Sequence, residues 1–393
     1  MIPSYYEFIN SVKILSGEKA LENIPSELSS FDARKPILLT DKMLVKIGLV
    51  RTVIDACGES EVVIGALYDD IPPDSSVKVV NEITRIYHEM ECDSVIAVGG
   101  GSVIDTAKGV CACISQGTDD LLDYMGVEIL NARTVPFIVV PTTAGTGSEV
   151  TGVAVIADPD RNVKMEFVSP NVLPDAAILD VRMTESLPAR LTASTGMDAL
   201  VHAVEAYTCI QKNPLSDAYA FTAINLIRQY LPRAVQDGSD KEARLAMANA
   251  SLLAGVAFSN SMVGIVHAMG HACGGVSLAP HGDCMTILLP YGMEYNLSAV
   301  AEYYAKLLLP LAGAEVYADT PAPERACKSI DTVREMTENY NKICGLPTRL
   351  SKVGVKKDDL PKIARAAIND GAIIVNPVEA SESDVLGILE QAF

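Results

Sequence analysis

From Leu245 to Gly282 the chain has no Asp, Glu, Lys or Arg, although 21% of all residues are charged. A charged substrate therefore finds no ionic partner along this stretch. Other absences narrow the field further. Basic side chains number 31 against 50 acidic ones, a formal charge of −19, which argues against nucleic acid or an anionic membrane as partner. No CxxC pair occurs and the cysteine count of nine is odd, so reduced thiols in a reducing, cytoplasmic setting are expected rather than disulfides. The segment Met1–Glu7 lacks a basic run followed by an apolar one, the pattern of a secretory signal. There is no GxxxxGK[ST] phosphate loop and no GxSxG elbow, which sets aside P-loop nucleotide hydrolysis and serine hydrolase chemistry. The uncharged stretch is long enough to span a bilayer, but it carries Asn249 and Asn260 and is broken by Gly264, Gly270, Gly274 and Gly275. Buried core helices fit it better than a membrane span.

What is present divides the chain in two. At 393 residues with 49% hydrophobic content, two domains are expected. Residues 1–184 read as strands alternating with helices. Pro36–Thr40, Glu61–Ile64, Ser94–Val98, Pro136–Val140, Val153–Ala157 and Ala176–Leu179 have strand character, and Val77–Met90 and Val103–Ile114 have helical spacing. This alternation predicts a mostly parallel sheet with helices on its faces. Residues 185–393 read as all-helical, with helices at Pro188–Tyr207, Pro214–Leu231, Lys241–Phe258, Ala299–Leu311 and Glu324–Cys344.

In the first half, a strand runs straight into Gly99-Gly100-Gly101-Ser102 and then a helix. Glycines let a backbone approach an anion, and a helix N-terminus offers free N–H groups to it. A second polar loop, Thr142-Thr143-Ala144-Gly145-Thr146-Gly147-Ser148, comes after another strand. Asp41 ends an early strand, where a carboxylate either meets ribose hydroxyls or caps the next helix.

In the second half, Asp198 and His202 are spaced i, i+4, as are His267 and His271, and His281 lies on a turn after Pro280. Such spacing puts both members of a pair on one helical face. Burying these imidazoles requires partners, and one divalent ion such as Fe²⁺ or Zn²⁺ partners several at once. Glu205, at i+7 from Asp198, is a rival ligand or an acceptor behind a ligand. The candidates outnumber a four-ligand site, which leaves one free for proton chemistry; spacing does not say which.

Together these segments resemble the iron-dependent, group III alcohol dehydrogenase family. The resemblance covers about residues 5 to 390. It is carried by Gly99-Gly100-Gly101-Ser102-x-x-Asp105-x-x-Lys108, Pro141 to Glu149, Gly196-Met197-Asp198-Ala199, and His267-Ala268-Met269-Gly270-His271 with Pro280-His281-Gly282. It implies a Rossmann-like N-terminal domain, a helical C-terminal domain, and reversible hydride transfer between a small alcohol and NAD, with NADP disfavoured. It implies Asp198, His202, His267 and His281 as metal ligands for Fe²⁺ or Zn²⁺, and His271 as the catalytic group beside the nicotinamide. Asp41, Gly99, Gly100, Gly101, Ser102, Thr142, Thr143, Thr146 and Lys164 match cofactor contacts, Phe258 matches a substrate-pocket residue, and a homodimer is the family expectation. Glycerol dehydrogenase-like zinc enzymes and dehydroquinate synthase-like lyases share this plan. The lyases act on a phosphorylated substrate, for which the uncharged stretch offers no cation. Asp74, Asp370-Gly371-Ala372 and Val378 depart from the family pattern, the last two in the region that shapes the substrate pocket.

Overall fold

Along three neighbouring strands, successive side chains enter two separate cores, and this alternation builds the first part of the molecule. Ile37, Leu39, Val95, Ala97, Phe137 and Val139 join one buried cluster. Leu38, Ile96, Val98, Ile138 and Val140 join another. A strand buried on both faces needs helices on both sides, which is why these runs read as continuously apolar. The computed structural model describes residues 3–393, apart from Glu59, Met125, Glu128, Ala132, Pro159, Arg161 and Asn162 and the side chains of Val127, Val163 and Lys164. It forms two compact units, Ile9–Ser186, and Leu187–Phe393 with Met1–Phe8.

Among its described residues the first unit has nine strands: β1 (Lys13–Gly17), β2 (Pro36–Leu39), β3 (Ala66–Tyr68), β4 (Ser94–Gly99), β5 (Gly126–Val127), β6 (Phe137–Pro141), β7 (Val153–Asp158), β8 (Val163–Val168) and β9 (Ala176–Asp180). Six of them form a sheet in the order β1-β9-β6-β4-β2-β3, with every pairing parallel. The chain leaves β2 toward β3 on one side and β4 toward β6 on the other. A crevice therefore opens beyond the carboxyl ends of β2 and β4, where open parallel sheets take ligands. A small sheet, β5-β8-β7, is attached, with β7 antiparallel to β8.

One local expectation is corrected and two are extended. Glu61–Ile64 is not a strand. Val63 N–H and Gly65 N–H each reach one carbonyl, of Arg34 (2.8 Å) and Pro36 (2.9 Å), and the ladder begins only beyond Gly65, where Ala66 comes level with Ile37. Two strands outside the expected set are present: β1, whose residues do not alternate, and β8, where Met165 and Phe167 are buried on either side of an exposed Glu166. The span His281–Ala312 is two helices that meet at a kink at Val300 (φ −126°, ψ 23°), so the helix expected over Ala299–Leu311 is present and a further helix, running through Pro290, precedes it.

Among its described residues, the regular elements of the second unit are all helices. Its centre is the helix Ala189–Thr208, on which every residue from Gly196 to Thr208 is buried. Helices Pro214–Gln236, Lys241–Ser259 and His281–Ala312 pack around it. A helix enclosed on all sides carries little amphipathic pattern, so the polar residues on it stand out. No helix among the described residues is long and apolar enough to cross a membrane.

Candidate metal centre and nucleotide cradle

The residues expected to face a nucleotide lie mainly on two loops that touch. Gly99 ends β4, Gly100 caps the helix Gly101–Gln116, and Thr142 N–H returns to Gly99 O (3.0 Å). A Cβ on Gly101 would come within 3.1 Å of the Thr146 methyl, so glycine lets the loops approach this closely without a shift of Thr146. Gly100, Gly101, Ser102, Thr143 and Thr146 are each partly exposed and Thr142 is buried. Ser102 Oγ accepts from Asp74 N–H (3.2 Å). Asp41 Oδ1 accepts from Leu44 N–H (2.9 Å), so this carboxylate caps the helix Lys42–Lys46, and Lys42 beside it pairs with Asp70 (2.5 Å). The Lys164 side chain lies outside the described residues; its backbone pairs with Ala157 in the small sheet.

Beneath the loops, the Asp105 and Lys108 of the first motif enter a polar network whose role spacing alone does not reveal. The Lys108 ammonium is fully buried and donates to Ser148 Oγ (3.0 Å), Thr151 Oγ1 (3.0 Å) and Val153 O (2.6 Å). Asp105 accepts from Ser148 Oγ (2.6 Å) and Val155 N–H (3.0 Å). Burial pushes the Lys108 pKa down to about 8 against the pull of Asp105 and Glu149. Burial likewise pushes the Glu149 carboxyl up to about 7 against its own backbone N–H and Lys108.

The metal-facing residues lie on three helices of the second unit. Ala189–Thr208 carries Asp198, His202 and Glu205; Ile265–Ser277 carries His267 and His271; His281 is the first residue of His281–Ala312. It therefore opens a helix rather than lying on a free turn. Asp283 fixes that helix start, accepting from Ser194 Oγ (2.9 Å) and Arg190 Nη2 (2.7 Å). Between His267 and His271, a Cβ on Gly270 would lie 1.7 Å from the Met285 methyl. Glycine thus brings the two histidine-bearing helices together.

These helices bring three of the four candidate ligands together, with His202 beside them but outside the set whose atoms all lie close to one another. Asp198, His267 and His281 each offer one ligand atom, and the three atoms lie within 4.8 Å of one another, with His281 Nε2 to Asp198 Oδ1 at 3.4 Å. His202 Nδ1 is 4.0 Å from Asp198 Oδ2, and its ring centroid is 4.4 Å from that of His267. Three buried atoms here, Asp198 Oδ1, His202 Nδ1 and His267 Nε2, have no hydrogen-bond partner. Unsatisfied buried polar atoms are rare, and three on adjacent side chains call for one common partner. Burial pushes the His202 pKa down to about 3, against the Asp198 charge, and lowers His267 well below its usual value. Both rings are thus neutral with lone pairs to offer. Burial would raise the Asp198 carboxyl, but the imidazoles around it, those of His202 and His281 first, hold it below its ordinary range. One carboxylate with neutral imidazoles suits a borderline divalent ion.

The cluster is closed on one side and open on the other. The side chains of Asp198, His202 and His267 are 3%, 7% and 2% exposed, whereas those of His281 and His271 are 39% and 31% exposed. Phe258 stacks on His202 at 4.3 Å between ring centroids. His271 stands apart from the unsatisfied atoms: its Nδ1 pairs with Asp370 Oδ2 (2.9 Å) and its ring stacks on His281 at 5.4 Å. Burial would raise the Asp370 carboxyl, but the His271 hydrogen bond holds it below the usual range. Glu205 is not turned toward the cluster; its carboxylate meets the far side of His267, Oε2 to Nδ1 at 2.6 Å.

Residues 11–181 match the family described as iron-containing alcohol dehydrogenase, and residues 192–393 match the C-terminal region of the Fe-containing alcohol dehydrogenase family. The chain belongs to the iron-containing alcohol dehydrogenase family. Among its relatives is the NAD-dependent methanol dehydrogenase of Bacillus methanolicus, 37% identical over 96% of this chain and 97% of that one. The 1,3-propanediol dehydrogenase of Klebsiella pneumoniae is also 37% identical, over 96% of each chain. A crystal structure of 1,3-propanediol oxidoreductase superposes with a TM-score of 0.94 at 35% identity, covering 99% of this chain and all of that one. As a member of this family the protein is an oxidoreductase of the alcohol dehydrogenase type.

Proposed function

We propose that this enzyme interconverts a small uncharged alcohol and its aldehyde or ketone, with NAD as the hydride carrier and one divalent ion, Fe²⁺ or Zn²⁺, at Asp198, His202, His267 and His281. The unsatisfied Asp198 Oδ1, His202 Nδ1 and His267 Nε2 carry this reading. When bound, the ion supplies Lewis-acid polarisation of the substrate oxygen and the nicotinamide accepts or returns the hydride. The protein's own residues do the rest. Asp198 supplies the fixed negative charge, and the neutral rings supply lone pairs without protons to shed. His271, its ring oriented through Nδ1 by Asp370, exchanges a proton with the reacting oxygen, a cofactor hydroxyl or water. Phe258, packed on His202, offers an apolar wall for the alkyl part of the substrate. The glycine-rich loops and Thr142, Thr143 and Thr146 hold the pyrophosphate, while the position of Asp41 favours NAD over NADP. The relatives named for methanol and 1,3-propanediol support a small alcohol. Seven of the nine cysteines are buried free thiols, in keeping with a cytoplasmic enzyme, and we assign a homodimer.

Purified protein given NAD⁺ and a panel of short primary alcohols should form the reduced nicotinamide, read by its absorbance, with about one metal per chain by elemental analysis. No turnover across the panel in metal-replete protein would end this reading. Light scattering on the same sample tests the dimer.

A further inference from the structure

The Ile265–Ser277 helix starts at Gly264, which has no side chain to cap it. The first N–H groups of a helix need acceptors from elsewhere, and here two side chains supply them. Asn376 Oδ1 accepts from Ile265 N–H (3.1 Å). Glu205 accepts from Val266 N–H at Oε1 (2.7 Å) and, with a longer contact, from His267 N–H at Oε2 (3.3 Å). The same Oε2 then meets the His267 ring at Nδ1, 2.6 Å away. Glu205 is 5% exposed, and the cavity bordering it, lined by Thr208, Gly264, Asn296 and Tyr304 among others, measures about 10 Å³. That is room for about one water. The carboxylate is thus held by protein groups, and the His267 ring nitrogen is one of them.

A neutral imidazole carries one proton. With Nδ1–H donated to Glu205, the lone pair is left on Nε2, the atom without a hydrogen-bond partner on the side of Asp198 and His281. Asp198 and Glu205 lie seven residues, about two turns, apart on one helix. That helix therefore supplies one candidate ligand directly and fixes the orientation of another, from a different helix, through its outward nitrogen.

We propose that Glu205 is a positioning residue for the metal centre: it fixes the tautomer and direction of His267, and so sets how tightly the site grips its ion. This rests on the metal reading above. A carboxylate behind a ligating histidine typically changes metal affinity by about 10- to 100-fold.

The test uses the full-length chain stripped of metal and titrated with Zn²⁺ against a chromophoric chelator, together with the visible spectrum of the Co²⁺-loaded protein. Glu205→Gln should fold, by far-ultraviolet circular dichroism, yet bind Zn²⁺ about 10- to 100-fold more weakly and shift the Co²⁺ bands. Glu205→Asp keeps the charge on a shorter arm and should fall between Gln and the parent; it also carries the test if the Gln variant does not fold. Asn376→Ala removes the other cap of the same helix end and touches no histidine. It should lower the unfolding midpoint while leaving Zn²⁺ affinity and the Co²⁺ spectrum as in the parent. Parental affinity and an unshifted spectrum in the Glu205 variants would overturn the proposal, as would an equal loss of affinity in Asn376→Ala. Failure of the parent itself to take up an ion would instead remove the metal reading, which Asp198→Ala tests separately.

Discussion

The two units treat buried charge in opposite ways. Under the glycine-rich loops, Lys108 is completely enclosed, yet its ammonium has three acceptors and Asp105 ties down the same serine. That network is self-sufficient and serves to clamp one loop to the helix that the other loop opens. In the helical unit, Asp198, His202 and His267 are as deeply buried, but each keeps an atom that no protein group satisfies. Burial of polar groups is costly in both places. In the first it is offset within the fold; in the second the offset must come from something the fold binds. Burial alone therefore does not mark a ligand site, whereas buried atoms left unsatisfied on neighbouring side chains point to one.

The contrast can be broken most directly at Asp198. Asp198→Ala should lose the metal and reduce kcat/KM by at least about 10³-fold, the several kcal/mol that a Lewis acid contributes. Reduced-nicotinamide binding, measured by its fluorescence, should persist. A variant that keeps a full complement of metal would show the carboxylate to be dispensable. Lys108→Met should behave in the reverse manner. Removing one partner of a buried ionic network destabilises by roughly 3–5 kcal/mol, seen in urea unfolding, and nicotinamide affinity should fall while the metal content of the folded fraction is kept. His271→Ala should retain its metal and slow turnover by about 10²-fold, as removal of a proton-transfer group does, with a changed pH profile; metal loss there would place His271 among the ligands.

Acid–base linkage sharpens the same comparison. The folded Lys108 titrates near 8 against an ordinary 10.5. Between those values the unfolded chain binds more protons, so this group makes stability rise with pH across that window. Glu149, raised from 4.5 to about 7, makes stability fall as pH rises between those two values. Unfolding midpoints measured from pH 4.5 to 10.5 should show both slopes in the parent, and Lys108→Met should lose the alkaline one. The smallest effect is expected at Asp41. Replacing it by Ala removes a helix cap worth about 1 kcal/mol and should raise the NADP-to-NAD activity ratio; an unchanged ratio would leave capping as its only role.

Much of this is legible in the residue order because it is local. The i, i+4 pairs, the glycine-rich turns after apolar strands and the uncharged stretch each occupy a short window and arise from helix and strand periodicity. The features hidden from the residue order are set by long-range contacts. Asp370 lies 99 residues from His271, and Glu205 lies 62 residues from the ring it holds. Glu205 is visible in the sequence as an acid on the right face, but whether it points to the cluster or behind it depends on how two helices cross. The false strand at Glu61–Ile64 fails for a related reason. Its β-branched residues fit a ladder, yet Val63 is 66% exposed, and pairing depends on where the preceding strand begins.

The Ala189–Thr208 helix also limits how this family can change. Asp198, His202 and Glu205 keep their bearings only because four and then three residues separate them, and each added residue turns the remainder of the helix by about 100°. One residue inserted after Ala199 would swing both His202 and Glu205 away while leaving Asp198 in place. The length of this helix is thus as constrained as the side chains enclosed along it.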